Sequence, residues 1–85
     1  MDQLLINQIQ EEFEMKIARL KIVEKKLIKD VDILKTYYQT KQKQSSSANI
    51  LSAIKTRSTT LYDTQNALIE LQQNKIYFQK LLNNN

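Results

Sequence analysis

The sequence has no glycine, proline, cysteine, histidine or tryptophan, and each absence removes a class of structure or chemistry. Zinc, haem and iron-sulfur sites need cysteine or histidine ligands, and a Ser-His or Cys-His nucleophile needs an imidazole. Phosphate-binding loops of the P-loop and dinucleotide types need glycines for a tight backbone turn. We therefore expect no enzyme activity, no metal site and no cofactor.

Disulfides and long apolar segments are also missing. A chain of 85 residues without cysteine must be stabilised by its core or by partners. The longest uninterrupted apolar run is Leu4 to Ile6, whereas a membrane span needs about 20 such residues. Residues 1–10 lack the basic segment and the small-residue cleavage site of a secretory signal. The sequence predicts a cytoplasmic protein, or one exported without a cleavable signal peptide, that is not attached to a membrane surface.

Helical periodicity is the main positive signal. In the first half, ten apolar residues recur at a mean spacing of 3.56 residues, between the value for a left-handed supercoil and that for a straight helix. They are Ile6, Ile9, Phe13, Ile17, Leu20, Val23, Leu27, Val31, Leu34 and Tyr38. The second half has a similar stripe, which comprises Ile50, Ile54, Leu61, Leu68, Leu71, Phe78 and Leu82. The three serines between the stripes favour caps and turns.

These patterns predict an all-α fold, an antiparallel two-helix hairpin in one domain over residues 1–85. Helix one covers about 2–42 with Asp2 as its N-cap, the turn about 43–47, helix two about 47–82, and the tail 83–85 is frayed. The hydroxyl-rich residues 57–60 could kink helix two, although a continuous helix is favoured. A turn centred near 45 and 46 places Phe13 opposite Phe78 and Val23 opposite Leu68.

Charged residues interrupt the predicted seam at Arg57 and Lys75 in helix two and at Lys16 and Asp30 in helix one. Two interpretations remain open. These residues fix the register as buried polar layers, with Arg57 reaching Asp30 or Asp32 across the seam. Alternatively, they lie at the rim with their stems packed and their charges in water.

Apolar residues are more numerous than one seam can bury, and this excess is the informative feature. A two-helix hairpin has a single seam, and a small core rarely supplies more than about 3 to 5 kcal/mol. We therefore expect the hairpin to complete a three- or four-helix bundle with a second copy or with another helical protein. The predicted partner-binding residues are Met15, Ile22, Ile28, Ile33, Leu51, Ile69, Ile76 and Tyr77.

Other kinds of site are less well supported. Asp30 and Asp32 are two residues apart, so on a helix they point to different faces and cannot share a metal or a proton. A ridge of lysines, Lys21, Lys25, Lys26 and Lys29, could neutralise phosphates of a nucleic acid. Acidic residues interleave with them and no aromatic residue lies between them to stack on bases. Nucleic-acid binding is therefore the alternative, and a solvated helix face is the favoured interpretation.

In length and predicted architecture the chain resembles the small helical-hairpin partners of bacterial secretion systems, the WXG100-type proteins and the hairpin chaperones that cover secretion substrates. Gln44 to Ser47 stand where the WXG100-type proteins have their Trp-x-Gly turn. Small coiled-coil subunits of tethering or kinetochore complexes share the same outline. The resemblance implies an adaptor, an assembly subunit or a chaperone for a larger helical partner, with a secretion substrate as one such partner.

Overall fold

A computed structural model describes residues 2–41 and 47–84, which form two helices. Helix α1 spans Gln3–Lys41 and helix α2 spans Ser47–Asn83, followed by Asn84 in a turn. The predicted turn at 43–47 lies outside the described residues apart from Ser47, as does position 85 of the predicted tail. Neither helix is long and apolar enough to cross a membrane.

The start of α1 is capped by Asp2, as predicted. The backbone N–H of Leu4 donates to Oδ1 of Asp2 at 3.1 Å, and the N–H of Ile6 donates to the Asp2 carbonyl at 3.0 Å. The first amides of a helix have no partner within the helix, and a carboxylate at this position satisfies one of them. The carboxylate of Asp2 therefore stabilises the first turn of α1.

Helix α2 runs without a break through the hydroxyl-rich residues 57–60. The hydroxyl of Thr59 donates to the carbonyl of Lys55 at 3.0 Å, and that of Thr60 donates to the carbonyl of Thr56 at 3.1 Å. These side chains bond the preceding turn of their own helix and do not cap a new one. The continuous helix favoured from the sequence is thus the structure that forms.

The two helices pack antiparallel. Phe13 contacts Phe78, with ring centroids 6.0 Å apart and planes tilted by 43°. Nearer the turn, Nη1 of Arg57 lies 3.3 Å from Oδ2 of Asp30. Because the later residue of α1 pairs with the earlier residue of α2, the helices run in opposite directions. The predicted all-α hairpin and the Phe13–Phe78 pairing are both confirmed.

Ten buried or half-buried side chains of α1 form a seam with a strict heptad, in steps of four and three residues, and the half-buried Ile9 and Asp30 lie beside it. They are Ile6, Gln10, Phe13, Ile17, Leu20, Glu24, Leu27, Val31, Leu34 and Tyr38. The predicted place of Val23 in this seam, opposite Leu68, is wrong, because Val23 is 43% exposed and Glu24 occupies the heptad position. The hydrophobic Val23 lies one residue away on the flank.

The α2 seam follows the same heptad except at Arg57, which is exposed, and its other members are buried or half-buried. They are Ile50, Ile54, Leu61, Thr64, Leu68, Leu71, Lys75, Phe78 and Leu82. Thr64 is buried, and its hydroxyl donates to the carbonyl of Thr60 at 2.8 Å. The only donor that this side chain brings into the seam is therefore satisfied within its own helix.

The four charged residues predicted to lie in the seam differ in how far they are buried. Lys16 is exposed, so its predicted seam position is wrong, whereas Lys75 is half-buried. The Arg57 and Asp30 side chains are 51% and 31% exposed, respectively. Arg57 reaches Asp30 across the edge of the seam, and a pair this exposed contributes about 0.2 to 1 kcal/mol. This ion pair therefore marks the register more than it stabilises the hairpin.

The core is thin. Within residues 2–41 and 47–84, four large apolar side chains are buried, and no large side chain in this part of the chain is fully enclosed. The four are Ile17, Leu27, Val31 and Leu68. The chain extends over 63 × 17 × 14 Å. Two antiparallel helices that meet along one seam leave most of each helix surface uncovered.

Candidate protein-interaction surface

Ionisable groups converge little in the described structure. Its residues contain no group of three Asp, Glu, His or Cys side chains that could hold a metal ion. Of the two neighbouring carboxylates, Asp30 pairs with Arg57, while Asp32 is exposed on a different side of α1. The features that distinguish this molecule are apolar.

Large apolar side chains are exposed along both helices. Ile22 is 70% exposed and Ile69 is 52% exposed. The other exposed members are Leu4, Leu5, Met15, Val23, Ile28, Ile33, Tyr37, Leu51, Tyr62, Ile76, Tyr77 and Leu81. All eight residues predicted to bind a partner belong to this exposed set. Exposure is the condition that partner binding requires, and binding itself stays a prediction.

The heptad register divides the eight predicted residues among three sides of the hairpin. Ile28, Leu51, Ile69 and Ile76 lie on one side, which we call the Ile69 flank. Ile33 and Tyr77 lie on the opposite side, the Tyr77 flank, and Met15 and Ile22 lie on the outer face of α1, directly away from the seam. The eight predicted residues therefore do not share one surface, because they lie on two flanks and an outer face.

The two helices contribute jointly to the Ile69 flank. A shallow groove on this side contains one seam residue from each helix, and its remaining residues are exposed. It is lined by Ile17, Lys21, Gln72, Lys75, Ile76 and Gln79. Lys21 from α1 thus lies beside Ile76 from α2, and a partner packed on this flank would contact both helices.

A second heptad on α2 escaped the sequence reasoning. It is offset by one residue from the α2 seam, and its members again alternate in steps of four and three. We call it the α2 outer stripe, and it comprises Ser58, Tyr62, Gln65, Ile69, Gln72, Ile76 and Gln79. None of these side chains is charged. The spacing of Tyr62, Ile69 and Ile76, each seven residues from the next, is the signal that could have revealed it.

The α1 side of the same flank has a different character. We call it the α1 charged stripe, and it comprises Glu11, Glu14, Ala18, Lys21, Lys25 and Ile28. All six residues are exposed. Acidic side chains precede the alanine and basic side chains follow it, so the charge changes sign along the stripe. The Ile69 flank is therefore uncharged along the α2 outer stripe and charged along α1.

The four lysines of the predicted ridge lie on three different sides of α1. Lys21, Lys25, Lys26 and Lys29 are all exposed. Lys21 and Lys25 lie on the Ile69 flank, Lys26 on the Tyr77 flank, and Lys29 on the outer face. The ridge therefore presents its charge over a broad arc of one helix, with Asp32 beside it on the Ile69 flank.

Together these features define a class of structure: an antiparallel two-helix hairpin with a thin seam and a second, uncharged heptad on one flank. Comparison with known protein families, with curated proteins and with solved structures gives no match.

Proposed function

We propose that the chain is a non-catalytic protein-protein interaction module that completes a three- or four-helix bundle with additional helices. The observation that supports this is the exposed surface. The chain exposes 6773 Å², whereas a folded monomer of 10.0 kDa typically exposes about 5,200 Å². The difference, about 1,500 Å², exceeds the about 800 Å² that each partner buries in a standard protein-protein interface.

The dimensions of the hairpin support the same proposal. Its radius of gyration is 19.0 Å, whereas a compact domain of this length has one of about 12 Å. An elongated hairpin covers little of its own apolar surface, and additional helices alongside it would cover more without lengthening it. In solution we expect the exposed isoleucines, leucines and tyrosines to be covered by such helices.

An adaptor, an assembly subunit and a chaperone for a larger helical protein would all act through this kind of surface. Each needs a helix face that offers apolar side chains and few charges, and the α2 outer stripe fits that need. Histidine and cysteine, the usual groups of nucleophilic and metal-dependent catalysis, are missing from the sequence. The proposed role is therefore to bind.

Nucleic-acid binding is the less supported alternative. Phosphate contacts require basic side chains that face one groove together, and Lys21 and Lys26 lie on opposite flanks of α1. Asp32 adds a negative charge next to the ridge. A complex with duplex DNA whose affinity falls steeply as salt rises would favour this alternative over the interaction module.

The test is affinity capture with a tagged chain from its native host. The matched control is the double variant Ile22→Asp with Ile69→Asp, which places charges at two exposed positions. We expect the parent chain to capture a helical protein or untagged copies of itself, and the variant to lose that partner while circular dichroism shows unchanged helicity. Capture of the same partner by both chains would contradict the proposal.

A further inference from the structure

The α2 outer stripe is symmetric about Ile69. Tyr62 precedes Ile69 by seven residues and Ile76 follows it by seven, and the amides of Gln65 and Gln72 lie between them. If two copies of α2 meet antiparallel with their Ile69 residues together, Tyr62 of each copy faces Ile76 of the other. Every apolar residue of the central stripe then meets an apolar residue, and no charged side chain of the stripe is enclosed.

The α1 charged stripe has a matching symmetry. When two copies of α1 run antiparallel about Ala18 and Lys21, Glu14 of each copy faces Lys25 of the other. In the same arrangement Glu11 of each copy lies opposite Ile28 of the other copy, about one helical turn beyond the Glu14–Lys25 pair. A parallel arrangement in register would instead place Glu14 against Glu14 and Lys25 against Lys25, and like charges repel. The charges on α1 thus favour an antiparallel second copy.

The two centres of symmetry lie at the same level of the hairpin. The Phe13–Phe78 contact joins residue numbers that sum to 91, and the Asp30–Arg57 ion pair joins numbers that sum to 87. Ile69 is therefore level with residues 18–22 of α1, which include Ala18 and Lys21. One two-fold axis can satisfy both stripes at once, although the stripes come from separate helices and have different chemistry.

We propose that the Ile69 flank binds a second copy of this chain, with a two-fold axis that passes near Ile69 and lies perpendicular to the helices. In the resulting four-helix bundle α2 packs antiparallel on α2 and α1 packs antiparallel on α1. The extents of 63 × 17 Å give one side of the hairpin roughly 1,000 Å², enough for the about 800 Å² per partner of a stable interface. This inference rests on the proposed function and names the partner.

Single cysteines test the arrangement, because the natural sequence contains none. We expect Ile69→Cys to join two copies through a short bis-maleimide, since the two side chains meet at the axis. Ile76→Cys should not join to itself, because the two sites are about 21 Å apart along the helices at 1.5 Å per residue. A mixture of Tyr62→Cys and Ile76→Cys should join. Glu70→Cys, on the Tyr77 flank, is the matched control and should not join.

Charge reversal tests the α1 pairing independently. Glu14→Lys should weaken the dimer about tenfold, because the two-fold axis repeats the lost Glu14–Lys25 pair, and the double variant Glu14→Lys with Lys25→Glu should restore the parent affinity. Glu12→Lys and its double variant with Lys26→Glu carry the same charge changes on the Tyr77 flank and should leave the affinity unchanged. Equal effects of the two sets would overturn the inference, because the charges would then act through the net charge alone.

Sedimentation equilibrium with thermal melting separates this inference from the proposed function. A dimer that persists in Ile69→Asp and dissociates in Tyr77→Asp would overturn the inference but leave the interaction module intact. So would a parent monomer that melts without cooperativity until another helical protein is added. A parent dimer that Ile69→Asp dissociates and Tyr77→Asp does not would support the inference. A parent monomer that melts cooperatively alone would overturn both.

Discussion

The rings of Phe13 and Phe78 lie 6.0 Å apart at a tilt of 43°, and this contact sets the register of the hairpin at its open end. Both side chains are half-buried. We expect Phe13→Leu and Phe78→Leu each to lower the free energy of unfolding by about 1 to 2 kcal/mol, less than a fully buried aromatic residue would lose. Urea unfolding of the two variants measures this change.

A double-mutant cycle on the same pair isolates the contact. Tilted aromatic pairs contribute about 0.5 to 1.5 kcal/mol beyond the area they bury, so the double variant should lose less than the sum of the single losses. The control cycle combines Phe13→Leu with Leu61→Ala. Leu61 lies on α2 far from Phe13, so these two losses should add. Strict additivity for Phe13 and Phe78 would show that the rings do not pair in solution.

The corrected α1 seam leads to a second prediction. Glu24 is half-buried at a heptad position, so Glu24→Leu should raise the free energy of unfolding by about 1 to 2 kcal/mol through added apolar burial. Val23→Ala should cost less than about 1 kcal/mol, because Val23 lies on the flank, whereas Leu27→Ala in the seam should cost about 2 to 5 kcal/mol. A loss at Val23 equal to that at Leu27 would restore Val23 to the seam.

Two adjacent residues of α2 distinguish the seam from the surface. Leu68 is 6% exposed and Ile69 is 52% exposed. Leu68→Asp should unfold the hairpin, because a buried and unpaired carboxylate costs several kcal/mol. Ile69→Asp introduces the same charge next to it and should keep the helicity while weakening association. Circular dichroism and analytical ultracentrifugation on the two variants give the comparison, and equal loss of helicity would contradict the assigned faces.

The cap at Asp2 gives a local prediction. Asp2→Ala removes the acceptor for the Leu4 amide and should cost about 0.5 to 2 kcal/mol. Asp2→Asn keeps a side-chain oxygen at the same place and should retain most of that energy. Amide hydrogen exchange at Leu4 reports the change directly, and unchanged protection in Asp2→Ala would show that the cap does not hold the first turn.

The two-helix fold was predictable from the sequence, and so were most residues of the seam between the helices. Missing glycine and proline and a repeat near 3.5 residues are enough to predict two helices, and the position of the turn placed Phe13 opposite Phe78. Val23 was misplaced because the prediction followed apolar residues alone. The heptad places the neighbouring Glu24, which is polar, against α2. Between Leu20 and Leu27, both Val23 and Glu24 give steps of three and four residues. The heptad along the rest of α1 decides between them.

The outer surface was harder to predict. Exposure of the eight residues named from the sequence follows from there being one seam, but their division between flanks depends on the register. The α2 outer stripe was not predicted because its apolar residues are only three of seven. The other four, Ser58, Gln65, Gln72 and Gln79, are polar. A bundle interface accepts uncharged polar residues beside apolar ones, so the absence of charge is as informative as hydrophobicity.

Sedimentation equilibrium of the parent chain at tens of micromolar, with a thermal melt of the same sample, shows whether the hairpin needs additional helices. We expect a mass above the 10.0 kDa of the monomer, or a monomer that melts without cooperativity until its partner is added. A monomer of 10.0 kDa that melts in one cooperative transition would rule out the interaction module, because the exposed apolar surface would then need no other helix.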